Sequence, residues 1–225
     1  MSFKQFYYLL FLLGATSFYA QETYRDNFSS VSYSNNNGSS SFSTNWVETG
    51  DTDLGPNSQY LRISSSRLEF YYIWSETIRR SANLTGSVSA TLSFNWQSLN
   101  LSGTTALDVQ VSSNGGASYT SVGTVTGNTT GTFNQDITPY ISANTTVRFA
   151  KTNANWNNNQ YAFIDNFQIA TTQPPPSPVM QVNDVSVNED VGNMTFTVTH
   201  TGLNASGPFT VNYQTLDGLA TAGSD

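Results

Sequence analysis

Ala90-Thr91-Leu92-Ser93-Phe94-Asn95-Trp96 is the stretch whose reading decides the fold. Ala90, Leu92, Phe94 and Trp96 alternate with small polar residues, a period of two that puts apolar side chains on one face of a β-strand and leaves the other face wet. Leu107, Val109 and Val111 repeat the pattern, and Asn114-Gly115-Gly116 then turns the chain toward Tyr119 and Val122 as a hairpin. Val147 and Phe149 mark a further strand. Tyr161, Phe163, Asp165, Phe167 and Ile169 mark the last, sharing one face by alternation. From about Glu22 to Ala170 almost no helical period appears. Many short strands separated by Asn, Gly and Ser turns predict an all-β protein built as an antiparallel jelly-roll sandwich.

Composition narrows the setting. The 225 residues carry 8 Lys plus Arg against 15 Asp plus Glu, a net charge of −7. A nucleic-acid binder needs a basic stripe to displace counterions from phosphate, and Arg79-Arg80 is the only adjacent basic pair, so nucleic acid is not an expected partner. Charged residues make up 10 %, and the remaining polar surface is Ser, Thr, Asn and Gly, as on extracellular β-sandwiches. There is no Cys, which excludes disulfides and thiolate metal sites.

Residues 1–20 read as a signal peptide. Lys4 supplies the positive start, Phe6-Tyr7-Tyr8-Leu9-Leu10-Phe11-Leu12-Leu13 the apolar run, and Ala20-Gln21 the cleavage point. The apolar run is short for a bilayer span, though Phe18 and Tyr19 are bulky for a cleavage site and leave an uncleaved anchor helix as the alternative. No Cys follows the run, so a lipoprotein anchor is excluded. The expectation is a secreted or cell-surface protein with no transmembrane segment in its mature chain.

Residues 21–171 form the expected jelly-roll domain and residues 172–178 a Pro-rich linker, in which Gln173-Pro174-Pro175-Pro176-Ser177-Pro178 favours polyproline II. Beyond it, in residues 179–225, Val185 and Val187 mark one strand, Met194, Phe196 and Val198 a second, and Phe209, Val211 and Tyr213 a third. Three strands are too few for an independent sandwich, so the sequence is expected to be a piece of a longer protein.

Two family resemblances refine this. Asn183-Asp184-Val185-Ser186-Val187-Asn188-Glu189-Asp190 resembles the opening strand of a Calx-beta domain, and Thr195-Phe196-Thr197-Val198 its second strand. Val211-Asn212-Tyr213-Gln214-Thr215-Leu216-Asp217-Gly218-Leu219-Ala220-Thr221-Ala222-Gly223-Ser224-Asp225 resembles the family's signature, with Leu219 standing where Thr is usual. The resemblance implies a partial immunoglobulin-like β-sandwich and calcium as cofactor. Glu189 and Asp225 occupy its ligand positions. Further acidic ligands come from later loops of that family, and two carboxylates alone cannot fill a shell of six to eight oxygens. The alternative is that both are solvated loop acids.

The first domain resembles the jelly-roll modules of bacterial surface proteins and is broadly similar to MAM domains. The residues that carry this are Asp26-Asn27-Phe28, Tyr60-Leu61-Arg62-Ile63, Leu84-Thr85-Gly86, Ala90 to Phe94, Val111-Ser112-Ser113-Asn114-Gly115-Gly116, and Ala162-Phe163-Ile164-Asp165-Asn166-Phe167. Such modules are adhesive or carbohydrate-binding, so the fold does not choose a ligand. The resemblance also implies that Asp165, with Asp26 from the first strand, holds a structural calcium. A carboxylate on an otherwise apolar face needs such a partner; backbone N–H groups or an Arg such as Arg62 are the alternatives.

Exposed rings are the other candidates. Phe70-Tyr71-Tyr72-Ile73-Trp74 points side chains both ways, and Trp156 lies in the polar run from Asn153 to Gln160. Trp74 and Trp156 would stack on sugar faces or else cover the ends of the sandwich. Catalysis has little support: His200 is the single His, and Glu69, Glu76 and Asp136 form no close pair on one strand face. The expected function is a secreted, non-catalytic adhesion or matrix protein that recognises an extracellular glycan or protein. The rivals are a carbohydrate-binding accessory region of a larger secreted hydrolase and a structural spacer.

Overall fold

The computed structural model describes residues 21–57, 59–102, 104–152, 154–174, 179–185 and 195–201. The chain divides into two compact units, one of them Tyr19–Pro174, the other including the described residues 179–185 and 195–201.

The first unit is the expected all-β jelly-roll sandwich, with eleven strands among the described residues: β1 (Gln21–Asp26), β2 (Val47–Thr49), β3 (Leu61–Ser64), β4 (Arg67–Tyr71), β5 (Thr77–Ala82), β6 (Ser89–Leu99), β7 (Leu107–Ser112), β8 (Thr120–Val125), β9 (Thr130–Asp136), β10 (Thr145–Lys151) and β11 (Tyr161–Thr172). One sheet runs β3-β4-β11-β6-β9 with β1 also on β11, and the other runs β2-β5-β10-β7-β8. Each of these strand pairs is antiparallel.

β11 organises the first sheet. Its opening half pairs with β4, Tyr161 opposite Tyr71 and Ile164 opposite Leu68, while its closing half pairs with β1 from Phe167 to Thr172. Between the halves lies a β-bulge: against β6, Asp165 faces Asn95 but Gln168 faces Ser93, so β11 carries one extra residue, and Asn166 adopts φ +51°. One extra residue reverses which parity points inward. Ala162 and Ile164 are buried before the bulge, Phe167 and Ile169 after it. The single face expected for Tyr161 through Ile169 is therefore corrected. Tyr161, Phe163 and Asp165 lie on the outer face, Phe167 and Ile169 in the core.

The core closes around Trp46, with Phe167 at 5.0 Å edge-on, Phe149 at 6.1 Å and Phe28 at 6.2 Å between ring centroids. Phe149 in turn meets Phe94 and Phe70 edge-on. Such pairs add about 0.5–1.5 kcal/mol each beyond their buried area. Beside them sits a buried ion pair. Arg80 of β5 and Asp26 of β1 have fully buried side chains, and Arg80 Nη1 donates to Asp26 Oδ2 at 2.7 Å, joining the two sheets. Arg80 Nε donates to the Thr44 carbonyl and Nη2 to the Asn35 carbonyl, and the guanidinium lies 3.9 Å from the Phe42 ring centre. Asp26 also accepts the Phe28 N–H at 2.8 Å and the Trp46 indole N–H at 2.9 Å. Burial pushes the Asp26 carboxyl above its ordinary range, against the pull of these donors, and draws Arg80 down to about 10 against the Asp26 charge. Three donors converging on one carboxyl group favour its ionised form and oppose the effect of burial.

In the second unit, β12 (Val179–Val182) pairs antiparallel with β13 (Val198–Thr201), Val179 opposite Thr201 and Met180 opposite His200. Of the strands expected here, Val185 and Phe196 lie in no strand and Val198 opens β13, while Val187, Glu189, Met194, Val211 and Asp225 lie outside the described residues. No helix among the described residues is long and apolar enough to cross a membrane.

The ion pair yields a test. Removing one partner strands a buried charge, so Asp26→Asn or Arg80→Met should each lower stability by about 3–5 kcal/mol in denaturant unfolding followed by Trp fluorescence. The double variant Asp26→Leu/Arg80→Met should cost clearly less than the sum. Single losses under about 1 kcal/mol would contradict the pair's structural role.

Candidate functional site

The bulge in β11 leaves an aromatic and polar surface on the outside of the six-stranded sheet. Register aligns its side chains in levels. Arg62, Glu69, Phe163, Gln97 and Thr130 stand opposite one another across β3, β4, β11, β6 and β9. One level along, Tyr71 faces Tyr161; one level the other way, Asp165, Asn95 and Thr132 align.

The rings on this surface touch in an unbroken run. Trp74 meets Tyr72 at 5.5 Å, Tyr72 meets Tyr71 at 6.0 Å, Tyr71 stacks on Tyr161 at 4.7 Å, and Tyr161 lies parallel to Phe163 at 6.0 Å. Arg67 caps the run, its guanidinium 4.3 Å from the Phe163 ring centre, and is held there by a 2.8 Å hydrogen bond to Gln97. Trp74 is half exposed, and Tyr71, Tyr72, Tyr161 and Phe163 are partly exposed. Beneath them, buried Glu69 accepts from Arg62 at 2.5 Å, and that hydrogen bond raises the Arg62 pKa.

A depression lies at each end of the run. One of about 410 Å³ is lined by Arg67, Asn95, Gln97, Thr132, Phe163 and Asp165 among others. The other, of about 290 Å³, is formed by Tyr60, Tyr72, Trp74, Ser75 and Glu76. Side-chain amides, a guanidinium and a carboxylate thus flank stacked rings, which is the donor and acceptor set that recognises hydroxyl-rich ligands.

Trp74, one of the two rings singled out in the sequence, lies half exposed at the surface. Trp156 does not: it is 1 % exposed. Its backbone N–H donates to the Ile73 carbonyl and its own carbonyl accepts from the Trp74 indole, so the polar run around it is pinned to the sandwich with the ring turned inward. The expected calcium pair of Asp26 and Asp165 is likewise corrected. Asp26 is buried between the sheets on Arg80, whereas Asp165 lines the outer groove and accepts the Asn166 N–H at 2.6 Å. The two lie on opposite faces of one sheet and cannot share an ion. Simple alternation breaks down at the bulge.

One acidic group emerges only from the structure. Carboxylate oxygens of Glu48, Asp51 and Asp53 lie within 4.8 Å of one another. Burial first, then the charges of Asp51 and Asp53, push the Glu48 carboxyl up to about 8. The spacing Glu-x-x-Asp-x-Asp at 48–53 is visible in the sequence, but spacing alone does not reveal that Glu48 turns inward.

The Calx-beta domain family matches residues 173–225. No curated protein matches the chain. Among solved structures, a carbohydrate-binding module of family 29 is similar at 11 % identity and a TM-score of 0.42, over 66 % of this chain and 88 % of that one. A mutant of a family 29 carbohydrate-binding module is similar at 12 % identity and a TM-score of 0.43, over 68 % and 92 %. The K2 cleaved adhesin domain of Lys-gingipain is similar at 14 % identity and a TM-score of 0.43, over 67 % and 99 %.

Proposed function

We propose that this chain is a non-catalytic, extracellular recognition protein whose sandwich binds glycans on the outer face of its six-stranded sheet. The observation that carries the reading is the run of touching rings from Trp74 to Phe163, ended by Arg67. The half-exposed Trp74 ring and the uncovered sides of Tyr161 and Phe163 would take up the C–H faces of pyranose rings, and Gln97, Asn95, Asp165 and Arg67 are placed to hydrogen-bond hydroxyl groups. Because the rings already brace one another, little side-chain freedom remains to be lost on binding. The same face would serve an adhesin or the accessory module of a secreted hydrolase.

The rest of the chain enters as part of this proposal. Residues 1–20 direct secretion, and the Calx-beta match at 173–225 supports a surface protein in which the sandwich is displayed ahead of Calx-beta sequence. Glu189 and Asp225 supply calcium ligands in a completed Calx-beta module, where hard carboxylate oxygens suit the ion.

A glycan array probed with the 225-residue chain should give a restricted set of binders. Tyr161→Ala and Arg67→Ala should each weaken binding to those glycans about tenfold or more with the far-UV spectrum unchanged, since stacking anchors carry most of such energies. No binding to any glycan would overturn the reading and leave a protein ligand or a spacer; unchanged binding by both variants would place the site elsewhere.

For the calcium ligands, calorimetry on a chain continued beyond Asp225 with further Calx-beta sequence should show calcium affinity that drops in Glu189→Ala/Asp225→Ala. Equal affinity in parent and variant would remove both residues from the site.

A further inference from the structure

We infer that Glu48, Asp51 and Asp53 form a calcium-binding site at the end of β2, separate from the aromatic face and from the Calx-beta residues. Glu48 lies on β2 between exposed Val47 and exposed Thr49, opposite Ile78 of β5, so alternation aims its side chain inward. It is 6 % exposed. One oxygen, Oε1, accepts from the Tyr33 hydroxyl. The other, Oε2, is buried with no hydrogen-bond partner. A carboxylate oxygen removed from water and given no donor is strongly unfavourable; a proton or a bound cation relieves it, and two further carboxylates beside Glu48 favour the cation. One carboxylate oxygen each of Asp51 and Asp53 lies within 4.8 Å of one of Glu48's, so a positive charge there would offset the three together.

The donor set selects the ion. All three side chains offer hard oxygen and the group contains no His or Cys, which disfavours zinc and copper. Carboxylate oxygens gathered within 4.8 Å of one another suit a hard divalent cation, and calcium exchanges its water for such a set more readily than magnesium, which dehydrates reluctantly. The Tyr33 hydroxyl that bonds Glu48 also lies 3.4 Å from the carbonyls of Gly55 and Leu61, which links Glu48 to the turn after β2 and the start of β3. An ion there would tie together the Tyr33 segment, the turn after β2 and the start of β3.

Melting curves of the whole 225-residue chain, stripped of metal and then measured in chelator or calcium, test this. At calcium a hundredfold above its Kd, the melting temperature should rise by about 5–10 °C. Glu48→Gln should abolish the rise. Asp53→Asn changes an exposed residue and will fold even if Glu48→Gln does not, and it should shift the calcium dependence to at least about tenfold higher concentration. Glu189→Ala/Asp225→Ala should leave the rise intact. A wild-type melt indifferent to calcium, a rise that persists unchanged in Asp53→Asn, or an equal rise with magnesium would each overturn the assignment. Glycan binding is read separately, so its failure leaves this result standing.

Discussion

The ion pair between Asp26 and Arg80 is the constraint on which the sandwich depends. It joins β1 of one sheet to β5 of the other, in a chain with no cysteine to tie them covalently. Each nitrogen of the Arg80 guanidinium has an oxygen partner, and Asp26 also fixes the Trp46 indole at the centre of the core. Hydrophobic packing alone tolerates small slips between sheets. A buried pair does not, because sliding either strand by one residue would turn a charge outward and leave its partner stranded in the core. The pair thus sets how the sheets face each other, and the aromatic cluster around Trp46 fills the space that this defines.

The inner and outer duties of the first sheet are divided at one residue of β11. Without the bulge at Asp165 and Asn166, a strand whose first half buries Ala162 and Ile164 would turn Phe167 and Ile169 toward solvent. With it, both halves bury their apolar residues, and the outer side of the first half is free to carry Tyr161 and Phe163 beside Tyr71 and Arg67. Arg25 braces the bulge by donating to the Asn166 side chain at 2.7 Å. The proposed recognition surface therefore rests on strands held from within.

Alternation makes the strands legible, from Ala90 to Trp96 and from Leu107 to Val111, because a half-buried strand writes its burial into every second residue. The bulge leaves no such trace: Asp165-Asn166 reads as ordinary alternation, and only the positive φ tolerated by Asn hints otherwise. The role of Asp26 is hidden for a related reason, since its partner Arg80 is far away in sequence and a pattern on one strand cannot show what the opposite sheet supplies. Trp156 sits among polar residues that suggest exposure, yet two hydrogen bonds to the Ile73–Trp74 segment turn it inward. The Calx-beta stretch is legible in the sequence through its fixed turn residues, and the family match at 173–225 agrees.

On the proposed reading, the outside of the β4–β11–β6 region binds ligand while the inside only holds the fold. The most direct measurement is a nuclear magnetic resonance titration of the isotope-labelled 225-residue chain with a panel of soluble oligosaccharides. Binding on this face predicts shift changes concentrated on Arg67, Tyr71, Gln97, Tyr161 and Phe163, with Trp46 and Phe149 unmoved. Changes clustered instead on the loops at the sandwich ends, or none with any sugar in the panel, would contradict it.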